Sequence, residues 1–226
     1  MTDQFDMQTP GENSGAEEEE NTIEISDAEK TKAIIREILS WIMTIAVAFL
    51  IALFLNKFII VNANVPTGSM ENTIQPGDRL IGNRLAYLKD DPQRGDIIIF
   101  KYPVDESEIY IKRVIGLSGE KIEIKDAKVY INGELLNESY LKEEWVVACD
   151  GLSLQIPDDC YFVMGDNRNN SADSRYWPSE AVNSGLAESI DDAVNKYYSY
   201  VRREKIMGKA MFRYFPRIKV FEDVSY

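Results

Sequence analysis

The chain has 226 residues, of which 45% are apolar and 28% charged, enough for one sizeable folded domain with a buried core. Its net charge is −13, but residues 1–30 hold ten acids and one base, so the rest carries only about −4. The composition lacks the excess of basic residues that a nucleic-acid-binding surface normally needs. The lack of histidine excludes a Ser-His-Asp triad, a Cys-His dyad and a histidine-ligated metal site within this sequence.

The first segment is acidic and nearly free of large apolar side chains. Such a segment cannot bury enough apolar surface to offset the conformational entropy that folding would remove. We therefore expect residues 1–35 to form a disordered acidic tail, with no function required of it beyond being solvated.

An uncharged apolar run of 18 residues, Ile38 to Leu55, comes next, and apolar residues continue beyond Lys57. A helix over residues 36–61 would be long enough to cross a bilayer. A cleavable signal peptide is the competing interpretation, but its apolar region is shorter and follows a basic N-terminus. Bases are concentrated before the run, at Lys30, Lys32 and Arg36. By the positive-inside rule we expect a cytoplasmic tail, one membrane span and an extracytoplasmic domain of residues 62–226.

The rest of the chain is predicted to be mostly β. Short β-branched or aromatic runs indicate strands at residues 97–100, 109–115, 121–124, 129–131 and 161–164. Asn132-Gly133 between two of these runs predicts a tight hairpin. From Pro178 to Tyr200 apolar residues recur at helical spacing, which predicts one amphipathic helix there.

The sequence VPTGSM, directly after the predicted span, presents Ser69 on a tight turn that glycine permits. On such a turn the hydroxyl projects and nearby backbone N–H groups can converge on an oxyanion. Most serines in such positions are ordinary turn residues, so this motif alone leaves both interpretations open.

The sequence YIKRVIG contains a lysine in a predicted strand. At strand period Lys112 shares a face with Tyr110 and Val114, where loss of water would lower its pKa and make it a general base. The alternative is a lysine whose stem is buried and whose amine reaches water. Periodicity does not decide between them, because Arg113 lies on the opposite face.

The sequence MGDNRNNSADSR is rich in turn-forming residues. It is either a polar loop stabilised by its own side-chain hydrogen bonds or part of a site. In the second case Ser171 could orient the lysine amine, and Asp173 with Arg175 could clamp the loop.

In this order after an apolar segment, PTGSM, RGDIIIF, YIKRVIGLSGEK and GDNRNNSADSR resemble the motif boxes of bacterial type I signal peptidases, and GKAMFRYFP resembles their closing strand. The resemblance implies a membrane-bound serine endopeptidase with a Ser-Lys dyad that removes signal peptides from secretory preproteins. Ser69 would be the nucleophile and Lys112 the general base. Thr67 and the Ser69 backbone N–H would form the oxyanion hole, and Ser171 would orient Lys112. The supporting residues would be Met70, Tyr110, Asp173 and Arg175.

The fold that the resemblance implies is mostly antiparallel β. It consists of a catalytic domain with a smaller inserted β region at about residues 116–160 and a helical insertion at about 178–200. The implied substrates carry small residues before the cut and emerge at the bilayer, and neither a metal nor any other cofactor is needed. The competing classes are a soluble, self-cleaving repressor-type Ser-Lys protease and an anchored β domain that only binds peptides.

The chain departs from the family pattern in three places. Asn72-Thr73 stands where a proline and a threonine usually follow the nucleophile, GLSGE stands for GLPGD, and the stretch 178–200 is longer than usual. The first two affect turn geometry rather than catalytic groups. Cys149 and Cys160 flank a turn-rich segment, and we expect either a disulfide, as an oxidising compartment would favour, or two reduced thiols.

Overall fold

The computed structural model describes residues 27–145 and 151–221. Helix α1 spans Asp27–Phe58 and has no buried residue. Within the described residues it is followed by twelve strands: β1 (Ile60–Asn64), β2 (Arg79–Asn83), β3 (Ile97–Lys101), β4 (Ile109–Gly116), β5 (Lys121–Lys125), β6 (Lys128–Ile131), β7 (Glu134–Leu135), β8 (Ser153–Gln155), β9 (Cys160–Met164), β10 (Val201–Arg202), β11 (Ile206–Phe215) and β12 (Lys219–Val220). Helices α2 (Trp177–Asn183) and α3 (Ile190–Asn195) lie between β9 and β10.

Helix α1 begins inside the segment expected to be a disordered tail and ends before the expected end of the span. Asp27 and Glu29 occupy its first turn and Lys57 its last, so the charges complement the helix dipole at both ends. At its end, Ile60 and Val61 pair with β2 instead of continuing the helix. The helix is long and apolar enough to cross a membrane. The tail expected at residues 1–26 lies outside the described residues.

The strands form two antiparallel sheets, which confirms the predicted fold class. Eight strands form the larger sheet, in the order β1-β2-β11-β3-β4-β9-β10 with β12 against β11. Strand β3 lies inside this sheet and is buried on both faces, because Ile98 and Phe100 pack into one apolar cluster and Ile97 and Ile99 into another. The isoleucine run detected in the sequence is therefore the centre of the fold.

The smaller sheet has the order β7-β6-β5-β8 and lies within residues 116–160. Its β6–β7 hairpin turns at Asn132 and Gly133, whose φ angles of 53° and 89° are those of the tight turn that this dipeptide favours. Its apolar face packs with Phe162 of β9 in one cluster. The smaller sheet is thus built onto the same strand that leads into the GDNRNNSADSR loop.

The prediction of one amphipathic helix between Pro178 and Tyr200 is wrong, because the structure has two short helices there. Gly185 takes a left-handed φ of 72° directly after α2, and the Leu186 N–H closes the helix end on the Ala181 carbonyl at 2.9 Å. Ser189 then caps α3 through its side chain. Apolar spacing continued across this break, but the glycine ended the helix.

The predicted cysteine pair falls partly outside the described residues, because Cys149 lies there. Cys160 is buried in β9. Burial raises the pKa of its thiol to about 11, so the thiol is a poor nucleophile at neutral pH. Whether the two cysteines form a disulfide stays a prediction.

Candidate active site

Ser69 and Lys112 meet beside strand β4 of the larger sheet. Ser69 lies in the turn region between β1 and β2, and Lys112 is in the middle of β4, paired with Ile98 of β3. The lysine Nζ lies 2.9 Å from the serine Oγ, a hydrogen-bond distance. Both side chains are nearly excluded from solvent, with exposed fractions of 7% for Ser69 and 4% for Lys112. Two residues 43 positions apart in the sequence therefore form one buried pair.

The amine of Lys112 is buried, so the alternative of an amine reaching water is wrong. Burial lowers the pKa of Lys112 from 10.5 to about 8, and the positive charge of Arg175 acts in the same direction, while the charge of Asp173 opposes it. The Nζ also donates to the Ile111 carbonyl at 3.2 Å. A lysine with this pKa is neutral in a substantial fraction of molecules near pH 8.

The loop that carries Ser69 has a different backbone from the one expected. Next to the serine, Asn72 has the positive φ, at 91°, whereas Gly68 does not. Met70 is buried beneath the loop, and its carbonyl accepts the Ile74 N–H at 2.8 Å. Proline cannot adopt a positive φ. The asparagine that replaces the family's usual proline thus gives this turn a backbone that proline would forbid.

A buried ion pair holds the Ser69 loop against β4, and the sequence analysis missed it. Arg113 binds Asp166 through two parallel hydrogen bonds of 2.8 and 2.6 Å, and both side chains are at most 2% exposed. Thr73 completes the cluster by donating to the same carboxylate at 2.5 Å. Bidentate pairs of this kind fix geometry as well as charge. Both residues lie within motifs that the sequence shows, YIKRVIG and MGDNRNNSADSR. Their pairing, however, depends on the fold, which brings the two motifs together.

Asp173 and Arg175 form a second buried pair, as expected of a loop clamp. The guanidinium binds the carboxylate through two bonds of 2.8 Å and also donates to the Arg168 carbonyl at 3.0 Å. Burial raises the pKa of Asp173, but the charge of Arg175 and the hydrogen bonds outweigh it, so the net pKa lies below the ordinary value. The carboxylate also accepts the Gly165 N–H at 3.0 Å. This pair fixes the loop next to Lys112.

Gly165 and Asn167 bring that loop against the nucleophile. Asn167 binds the Ser69 carbonyl through its N–H and the Gly68 carbonyl through its side chain, both at 3.0 Å. A β-carbon on Gly165 would lie 2.4 Å from the Ser69 carbonyl oxygen and 2.3 Å from Ser171 Oγ. Only glycine permits this approach, and the sequence analysis had not singled it out.

Ser171 lies at the site but does not make the expected contact. Its hydroxyl is buried and makes no hydrogen bond to Lys112; it lies beside the Asp173 carboxylate instead and helps to lower the pKa of that group. Tyr110, in contrast, faces the amine, with its ring centre 5.2 Å from the lysine Nζ. The structure therefore brings Ser69, Lys112, Tyr110 and Ser171 to one place, without a bond between Ser171 and the lysine amine.

A segment of residues 138–145, which we call the strap, contacts the site from the side of the smaller sheet. Asn72 donates to the Tyr140 carbonyl at 3.0 Å, and Lys142 forms an ion pair of 2.5 Å with Glu71. Glu138 pairs with the buried Arg168. No pattern in the sequence indicated this segment, because its role depends on contacts with residues distant in the chain.

A groove of about 600 Å³ opens beside Ser69. One wall contains residues 62–70 and the other residues 108–112 of β4 and the turn before it. Thr67 is exposed in the groove, and its Oγ1 lies 3.5 Å from the Ser69 Oγ. Within the described residues no group of three or more acidic or cysteine side chains is arranged to hold a metal ion. The arrangement can therefore offer an extended peptide a buried hydroxyl, an amine and a nearby hydroxyl donor.

Comparisons with known proteins identify the family of this chain. Residues 38–215 match the family described as signal peptidase, peptidase S26. A probable signal peptidase I-2 of Synechocystis sp. is 35% identical, over 76% of this chain and 71% of that protein. Signal peptidase I of Leptolyngbya laminosa is 33% identical, over 77% and 78%. A crystal structure of a signal peptidase I from Enterococcus faecalis V583 is 30% identical, covering 53% of this chain and 97% of that one, with a TM-score of 0.39. This chain belongs to the signal peptidase family, peptidase S26.

Proposed function

We propose that this protein is a membrane-anchored endopeptidase that removes N-terminal signal peptides from secretory preproteins, with Ser69 as nucleophile and Lys112 as general base. The observation that carries the proposal is the hydrogen bond of 2.9 Å between a buried lysine amine and a serine hydroxyl. Family membership supports the reaction, since the relatives are named signal peptidases. The absence of histidine from the sequence leaves this lysine as the base next to the serine.

The reaction then proceeds in two halves. Neutral Lys112 accepts the proton of Ser69 Oγ while that oxygen attacks the carbonyl carbon of the scissile peptide bond. The lysine passes the proton to the nitrogen of the leaving peptide, and an ester to Ser69 remains. Lys112 next takes a proton from water, the hydroxide oxygen attacks the ester carbon, and the proton returns to Ser69 Oγ. The lowered pKa of Lys112 lets it accept a proton in each half near neutral pH.

Thr67 and the Ser69 backbone N–H are proposed to stabilise the oxyanion. Donors that point to the position where negative charge develops contribute strongly to the rate of acyl transfer. The distance of 3.5 Å between the hydroxyls of Thr67 and Ser69 supports this role, because it keeps the donor next to the reacting oxygen.

Ser171 is proposed to orient the lysine amine, with Asp173 and Arg175 holding the loop that carries it. The ammonium form of Lys112 has three N–H donors, and two of them are used by the bonds to Ser69 and to the Ile111 carbonyl. The third N–H remains available for another acceptor. The buried hydroxyl of Ser171 offers an acceptor for it, because a hydroxyl that donates to Asp173 still has lone pairs free to accept. Met70 supports the same site by filling the core beneath the nucleophile.

The groove suits a substrate segment bound as a β-strand. Within the described residues, β1 pairs with β2 alone, and β9 pairs with β4 only from Arg113 onwards. The groove-facing edges of β1 and of residues 109–112 therefore have no strand partner within the described residues. An extended peptide can add to such edges through main-chain hydrogen bonds, while pockets between them select its side chains. The family resemblance implies small residues before the cut, and the mainly apolar lining beside Ser69 is compatible with them.

We propose that α1 anchors the protein in the membrane, with the N-terminus in the cytoplasm and a catalytic domain of residues 62–226 outside. The helix has the required length and apolar character. Lys30, Lys32 and Arg36 precede the apolar run, whereas Lys57 alone lies directly after it, and bases are retained on the cytoplasmic side. The substrates would emerge from the same bilayer.

The decisive experiment is cleavage of a purified preprotein by the full-length protein in detergent micelles. We expect one cut after a small residue, identified from the mass and N-terminus of the product. Ser69→Ala should fold and leave the preprotein intact, whereas Ser107→Ala, at an exposed serine of another loop, should cut at the parental rate. A peptide-binding or scaffolding protein would cut nothing, and a self-cleaving protease would cut only its own chain.

A further inference from the structure

The ring of Tyr110 forms part of the groove wall and packs against a second aromatic ring. It stacks in parallel on Tyr102, with 4.3 Å between ring centres and 1° between ring planes. The same Tyr110 ring lies 5.2 Å from the amine of Lys112, which is hydrogen-bonded to Ser69. The position of this ring therefore limits the space beside the nucleophile.

Two residues of helix α2, Trp177 and Glu180, contact Tyr102. Trp177, its first residue, is fully buried and meets the Tyr102 ring edge-on at 5.6 Å and the Tyr110 ring at 6.4 Å. Glu180 follows three residues later, and therefore on the same side of the helix, and its carboxylate accepts the hydroxyl of Tyr102. Burial, followed by this bond, raises the pKa of Tyr102 well above its ordinary value, so the hydroxyl stays a donor.

A buried tyrosine hydroxyl that lost its acceptor would be left unsatisfied, so the ring would move to find water or another partner. Because Tyr102 and Tyr110 are stacked face to face, such a movement would shift the Tyr110 ring as well. Helix α2 does not line the groove itself, yet it is connected to the groove wall through two aromatic rings.

We propose that Glu180 and Tyr102 are positioning residues that fix the Tyr110 ring and thereby set the size of the substrate side chain accepted next to the scissile bond. The helical insertion is in this way a determinant of specificity. This inference rests on the proposed function, because it concerns the substrate of the same site.

The test compares two preproteins that differ only in having alanine or valine before the cut. The measured quantity is the ratio of kcat/KM for the two substrates, in full-length protein. We expect the preference for alanine to fall at least about fivefold in Tyr102→Phe and in Glu180→Ala, because a pocket that excludes extra methyl groups discriminates by about tenfold or more. The double variant should match the single variants, since both changes break one connection.

Controls separate this role from a general effect on folding. A smaller folded fraction would lower both rates equally and leave the ratio unchanged. Glu180→Gln, which keeps an acceptor for the Tyr102 hydroxyl, should restore the parental ratio, and Glu188→Ala, at an exposed acid between α2 and α3, should not alter it.

Ratios within twofold of the parent in Tyr102→Phe, which removes one oxygen and preserves the ring, would overturn the inference. Failure of the parent to cut either preprotein would overturn the proposed function, and this inference with it.

Discussion

Replacing Lys112 by methionine should abolish cleavage and, near neutral pH, make the folded protein more stable. Burial lowers the pKa of Lys112 from 10.5 to about 8. At about 1.4 kcal/mol per pH unit, this difference corresponds to roughly 3 kcal/mol of folding free energy lost when the buried amine is protonated. Methionine has a similar length and fills the space without a charge. Loss of the hydrogen bond to Ser69 offsets about 1 kcal/mol, so we expect a net gain of about 2 kcal/mol.

The gain should depend on pH in a defined way. Above pH 10.5 the lysine is neutral in both the folded and the unfolded chain, so its burial carries no charge penalty. As pH falls from 10.5 to about 8 the unfolded chain binds a proton that the folded one does not, and stability is lost. Below pH 8 both states are protonated and the penalty is complete. The advantage of Lys112→Met should thus be full at pH 6–7.5 and largely gone near pH 10.5.

The assay is urea unfolding of the full-length protein in detergent micelles, followed by tryptophan fluorescence between pH 6 and 10.5. Lys128→Met serves as a matched control, because Lys128 is exposed on a strand. Its difference from the parent should not vary with pH. A difference between Lys112→Met and the parent that is the same at pH 6.5 and pH 10.5 would refute the assignment of a buried, weakly basic amine.

Three further predictions concern the site and the membrane topology. Asn72→Pro should lower preprotein cleavage at least about tenfold, because proline cannot take a φ of 91°, whereas Asn72→Gly should retain more activity. Gly165→Ala should reduce kcat at least about 10²-fold, since its β-carbon would lie 2.4 Å from the Ser69 carbonyl oxygen; parental kcat would contradict that contact. Protease added to intact cells without an outer membrane should digest epitopes beyond Val61 and spare the N-terminal tail; protection of the C-terminal part would reverse the topology.

Much of the fold was predictable because local patterns decided it. The β-branched run Ile97–Phe100 predicted a strand, which the structure then buries on both faces, and Asn132-Gly133 permits the positive φ angles of its hairpin. The break after α2 was missed because apolar residues keep their helical spacing on both sides of Gly185. That spacing does not show where a glycine ends a helix. The start of α1 was missed because acidic residues that look disordered also stabilise a helix N-terminus.

The residues of the candidate site could be named from the sequence, but their burial and their hydrogen-bond partners could not. Ser69, Lys112 and Ser171 were named from motif resemblance, whereas the buried state of the lysine depends on packing between distant strands. The bond between Arg113 and Asp166 joins positions 53 residues apart, and nothing in either segment alone reveals it. Contacts of the strap with the Ser69 loop are of the same long-range kind.

The most direct test of the Ser-Lys dyad is preprotein cleavage by folded Lys112→Arg protein. Arginine retains the positive charge and much of the stem but does not lose its proton at any usable pH, so it cannot accept the proton of Ser69. The dyad predicts that cleavage falls by at least about 10²-fold, the usual effect of losing a general base. A lysine that only pairs charges or supports the fold predicts that arginine preserves its role, so a rate within about tenfold of the parent would contradict the dyad.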